Sequence, residues 1–218
     1  MKTLVIAALL AVAVAPAALA QDPRLTSKLD RETVGVVSRI VDSARVAGLP
    51  TEPLIAKALE GASKRAPGDR IAATVRSYAS ALHAASAALG ARSTEPEIVA
   101  GAGAILSGID PAALTRLRTS GASRSLTMPL VVLADLVSRG VQSDTAAGAV
   151  YLATRAGARD TDFLALRRAV EQDIRSGASP AAATALRVRT LPGVAGYEAG
   201  AFDPLRPPGT TTPRRTPP

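Results

Sequence analysis

RGVQSDTAAGAVYLATR, residues 139 to 155, contains the turn whose reading decides the fold. A helix ends at Gly140, where a left-handed residue costs least. The apolar Val141 folds back, and a polar cap at Ser143 or Asp144 opens the next helix within a few residues. Four other corners follow the same pattern: AGLPTEP at 47 to 53, SGIDP at 107 to 111, SGASP at 176 to 180 and, more loosely, KRAPGD at 64 to 69.

Outward from these corners, the intervening stretches have helical spacing. Ser27 or Asp30 can cap a helix to about Ala47, with Val34, Val37, Ile40, Val41 and Ala44 on one face. Thr51-Glu52-Pro53 opens the next, with the Thr hydroxyl as cap and Pro in the first turn, where its missing N–H costs nothing. Ala66 to Asp69 reverses the chain into a longer helix ending at Gly90. Thr94-Glu95-Pro96-Glu97 nearly repeats the opening at 51, and Glu97 completes a capping box. Asp110-Pro111 caps a short helix, and the polar stretch from Ser120 to Ser125 is expected to be a hinge. Met128 to Ser138 is the most apolar helix and is expected to be central. Helices near 161 to 176 and 180 to 189 complete the series.

The units 52 to 89, 95 to 120, 128 to 156 and 161 to 189 each read as helix, corner, helix, at a spacing of roughly 30 to 40 residues suited to helical-hairpin repeats. Neither the Trp and Tyr positions of tetratricopeptides nor the ankyrin Thr-Pro-Leu-His is present. Corner chemistry alone could also create the likeness. Both readings give an all-α body of antiparallel hairpins over residues 21 to 190, packed as a short α-solenoid or an irregular bundle.

Composition supports this class. Roughly a fifth of the residues are alanine, the best helix former, and period-two β-branched runs are absent. With 47% hydrophobic but only 2% aromatic residues and no Trp, the core must consist of small and aliphatic side chains.

Residues 1 to 20 have the form of a secretory signal peptide. Lys2 is the positive start, Leu4 to Val14 the apolar run, and Pro16 precedes the small-residue end Ala18-Leu19-Ala20, with cleavage expected before Gln21. The apolar stretch falls just short of a comfortable membrane span, and no later stretch is long enough for one. The expectation is an exported product, periplasmic or secreted. Residues 191 to 218 are rich in Pro, Gly and Thr and carry Arg206, Arg214 and Arg215. They are expected to form an extended, disordered tail, with Tyr197 and Phe202 able to pin its first part.

The net charge of +8 comes mostly from Arg spread along the chain without a block, as on a solvated surface. Export makes nucleic acid an unexpected partner, although LVSRGVQSDTAAGAVYLATRAGAR superficially resembles a helix-turn-helix reader. An envelope or extracellular protein is the expected partner, with anionic lipid or wall polymer as the alternative.

Catalytic groups are sparse. His83 is the single histidine, which excludes a two-histidine metal site, and it is expected on a helix surface. Without Cys there is no disulfide, thiolate ligand or thiol nucleophile. Glu52 and Glu95 could pair for glycoside chemistry but fit better as first-turn acids. Glu171 and Asp173 diverge on one helix, with Arg167, Arg168 and Arg175 as expected partners. Lys28, Lys57 and Lys64 are expected to be exposed, and GAGA at 101 to 104 lies within a helix, where small residues allow close contact. The sequence therefore designates no catalytic, cofactor-binding or metal-binding residues. It indicates a non-catalytic interaction or structural module, ahead of a basic protein attaching to anionic surfaces and, third, an undescribed hydrolase.

Overall fold

A computed structural model describes residues 22–120 and 124–194. The leader, the centre of the expected hinge, and the tail from 195 onward, with Tyr197 and Phe202, lie outside them. The described residues are all-helical, with ten α-helices: α1 (Pro23–Thr26), α2 (Arg31–Val46), α3 (Glu52–Ser63), α4 (Gly68–Leu89), α5 (Glu95–Leu106), α6 (Pro111–Thr119), α7 (Thr127–Ser138), α8 (Ser143–Arg155), α9 (Asp160–Arg175) and α10 (Pro180–Arg189).

The corners share one hydrogen-bond pattern. The amide after the left-handed residue reaches back five positions to the last turn of the helix: Leu49 to Ala44 O at 2.9 Å, Ile109 to Ala104 O at 3.1 Å, Val141 to Leu136 O at 3.1 Å and Ala178 to Asp173 O at 3.0 Å. A further corner at Gly157 does the same through Ala158 and Ala153 O. Leu49, Ile109 and Val141 are buried, so each corner satisfies an orphan carbonyl and also seals the core.

At the loose corner the left-handed position falls to Arg65, at φ 54°, the single non-glycine residue with positive φ among those described. Gly68 instead begins α4. A side chain held there strains the backbone, so Arg65→Gly is expected to stabilise the fold by about 0.5–1 kcal/mol. Gly48→Ala, at φ 68°, is expected to act in the opposite direction. The urea midpoints of the two variants should move apart from that of the parent.

The expected caps hold at Asp30, whose carboxylate accepts from Thr33 N, and at Asp110, which accepts from Ala112 N. They fail at two places. Thr51 has helical backbone angles and makes no side-chain cap, despite its near-identity with the stretch at 94. Helix α8 begins at Ser143 itself, and the Ser143 hydroxyl donates across the fold to Gly108 O at 3.1 Å, tying two corners together.

Packing follows chain order. α4 lies against α2, α3, α5 and α6; α7 against α5, α8 and α9; α10 against α8 and α9; and α6 also against α8. Every substantial contact joins helices one or two places apart in the chain, as in an α-solenoid. Helices α5, α7 and α9 form one row, and α2, α4, α6, α8 and α10 the other. The unit at 95 to 120 departs from the hairpin expectation, because α6 rests its backbone on α4 and α8 and meets α5 through side chains, among them Leu114 and Arg118. A Cβ at Gly101 would lie 3.0 Å from Leu114 Cδ2 and 3.1 Å from Ala85 Cβ. Bare backbone at 101 is what lets α5 sink between α4 and α6; Gly103, by contrast, faces open space.

The core is aliphatic apart from Phe163, with Leu130, Val132, Leu133 and Leu136 of α7 wholly buried, as expected for a central helix. Leu191 and Val194 are buried too, so the body extends four residues past the expected limit at 190. Among the described residues no helix is long and apolar enough to cross a membrane.

Candidate functional site

Three of the four acids considered for chemistry, Glu52, Glu171 and Asp173, are engaged by arginines. Glu52 stands at the start of α3 and receives both Arg24 guanidinium nitrogens, at 2.7 and 2.8 Å, while Arg24 also binds Asp22. Glu95 begins α5, a separate helix. Glu171 pairs with Arg139 and Arg175, and Asp173 with Arg187 at 2.6 Å. Of the three expected partners, Arg167, Arg168 and Arg175, only Arg175 pairs with one of these acids. Arg167 bonds Asp135 instead, Arg168 makes no ion pair among the described residues, and the partners Arg139 and Arg187 come from other helices. Lys57 and Lys64 clasp Glu60 and hold its carboxyl down to about 2. Among the described residues no group of three or more His, Cys, Asp and Glu side chains gathers that could hold a metal ion.

Sequence reading found only half of the role of Glu97. It is 2% exposed. Its carboxylate accepts from Thr94 N at 2.9 Å, as the capping box requires, and also from Leu126 N at 2.7 Å and the Arg118 guanidinium at 2.8 Å. Burial pushes this carboxyl up, but the two amides and the guanidinium outweigh it and hold it below the usual carboxylate range. One acid thus joins the start of α5, the end of α6 and the approach to α7. That is a structural junction.

A groove of about 530 Å3 runs between α2 and α4. Its floor is apolar, formed by Val36, Ile40, Ala44, Leu49 and Ala79. Its rim carries Arg39 on the α2 side and Arg76 on the α4 side, with Ser43, Ser80 and the exposed His83 between them. No carboxylate lines it. Asp42, one turn from Arg39, is taken by Arg45. Arg39 and Arg76 have no ion-pair or hydrogen-bond partner among the described residues, so neither charge is neutralised within the groove. This arrangement can hold an anionic group beside an apolar one.

No model of a known protein family, no curated protein and no solved structure matches the chain. The chemistry of the groove therefore has to be read from its own residues. Of the residues weighed for chemistry in the sequence, only His83 lies in it, beside Ile40 and Ala44 of the apolar face of α2. The rest came together because α2 and α4, separated in the chain by α3, pack directly on each other. A second, smaller pocket of about 220 Å3 lies near the start of α7 and the corner at Gly157, where Arg124 donates to Gly157 O at 3.2 Å.

Proposed function

We propose that the chain is an exported protein of a bacterial-type cell envelope, acting as a non-catalytic interaction module that presents the groove between α2 and α4 to a partner protein. The observation carrying this reading is the placing of an apolar floor beside two arginines that no acid of the groove neutralises. A desolvated apolar patch flanked by fixed charge suits protein recognition, since the floor supplies affinity and the charges supply register.

Photoreactive side chains at Ser43 and Ser80, in the full chain expressed in an export-competent bacterium, are expected to cross-link to an envelope protein. Mass spectrometry of the same product should find its first residue to be Gln21. Adducts to lipid or wall polymer alone would favour the anionic-surface reading, which draws on the scattered Arg residues and on Arg206, Arg214 and Arg215, outside the described residues. Intact product in the cytosol, with residues 1 to 20 attached, would remove the exported role.

A further inference from the structure

We infer that the groove between α2 and α4 takes one amphipathic helix of the partner, bearing an acidic residue on each flank of its apolar stripe. This rests on the partner-protein reading above and specifies it. The lining positions run from Val36 on α2 to Ala47 at its C-terminal cap, a rise of about 16 Å or three helical turns. On α4 they run from Arg76 to His83. A third helix laid along this channel meets alanines at 44, 47 and 79, small enough for a close interaxial approach of about 8–10 Å. Arg39 and Arg76 stand on opposite walls, so the complementary charges belong on both edges of the incoming stripe.

Charge and shape disfavour the other occupants. The groove is open along its length, and an acyl chain laid in it would stay wet on its outer side, whereas an amphipathic helix turns a polar back to water. The chain's own tail holds Glu198 and Asp203, but Gly196 and Gly200 disfavour a helix there, and from Pro204 onward repeated Pro with Arg206, Arg214 and Arg215 opposes both the charge and the helix the groove calls for. The apolar leader contains no acid at all.

The test is selection of a displayed library of peptides about 14 residues long, near the shortest that hold a helix in water, on the purified exported chain. Enriched peptides are expected to carry Asp or Glu on both sides of an apolar i, i+3, i+4, i+7 stripe. A synthetic winner should bind Arg39→Glu/Arg76→Glu at least about tenfold more weakly, and its Lys-for-Glu twin should recover binding to that variant. Both arginines are exposed, and an unchanged circular dichroism spectrum checks that the double variant keeps its helices. Winners without acids, or binding indifferent to the charge reversal, would overturn the inference. So would phosphatidylglycerol vesicles that depend on Arg39 and Arg76 where no peptide does, or a dimer of this chain abolished by the same reversal. Protein adducts at Ser43 and Ser80 that survive the reversal would leave the partner reading standing while the acidic-helix inference falls. Absence of any protein adduct would remove both.

Discussion

Glu97→Ala is expected to destabilise the fold by about 3–5 kcal/mol, because it leaves the Arg118 guanidinium, 19% exposed, facing no counter-charge and strips two backbone amides of their acceptor. Companion variants separate these costs. In Arg118→Met the carboxylate keeps both amide donors, so the loss should be smaller than in Glu97→Ala. The double variant Glu97→Ala/Arg118→Met should recover only part of the deficit, since the Thr94 and Leu126 amides remain without their acceptor. Equal losses in all three variants would mean that the carboxylate contributes as an ion pair alone.

The same residue sets an acid limb. In the folded state Glu97 titrates below its ordinary value of 4.5, so its contribution is fully present above that value and is lost as pH falls through the lower folded one. Stability of the parent should therefore decline below about pH 4.5 more steeply than that of Glu97→Ala. Denaturant midpoints measured from pH 6 to pH 3 check this, and parallel curves would contradict it.

Leu133→Ala is expected to cost about 2–5 kcal/mol, as for a large side chain removed from a fully packed site. Its greater consequence is for cooperativity. The substantial helix contacts between the first six helices and the last three pass through α7, apart from the meeting of α6 with α8 and the Ser143 to Gly108 O hydrogen bond beside it. In a quasi-one-dimensional fold, stability is nearly a sum over neighbours, so weakening one central element uncouples the two ends. Hydrogen exchange on Leu133→Ala should show amides of α8 to α10 opening before those of α2 to α4, where the parent opens with smaller differences. Uniform loss of protection along the chain would show that the ladder unfolds as a single unit despite its topology.

The corners explain why so much of the fold was legible. A glycine, an apolar residue and a cap within five positions act through hydrogen bonds that span a single turn, so their meaning is local. Leu49, Ile109 and Val141 behave as read. The reading failed where a local motif had a competing distant partner. Thr51 copies Thr94 in letters, yet only the second opening has its acid at the third helical position reaching back to the cap amide, while Glu52 turns to Arg24 in α1. Ser143 gives its hydroxyl to Gly108 O, a residue from another corner, and at the corner read as Ala66 to Asp69 the left-handed position went to an arginine.

The groove was illegible for a similar reason. Val36, Ile40 and Ala44 have the spacing of an ordinary buried stripe, and Arg39 that of a solvated face. Nothing along the chain records that α4 comes to lie beside α2 with Arg76 opposite Arg39.

Alone, the sequence determined the all-α class, the positions of the turns, the aliphatic character of the core and the helix expected to be its centre. Those properties depend on spacing, on φ preference and on hydrogen bonds between residues a few positions apart. Tertiary packing set the contacts between helices one or two places apart, the seating of the α6 backbone on α4 and α8, the joining of three helices by Glu97, and the lining of one groove by Arg39 and Arg76 without a carboxylate. Each of these depends on which helix faces which, and alanine-rich surfaces of similar shape can pack in many pairings until the whole set is closed.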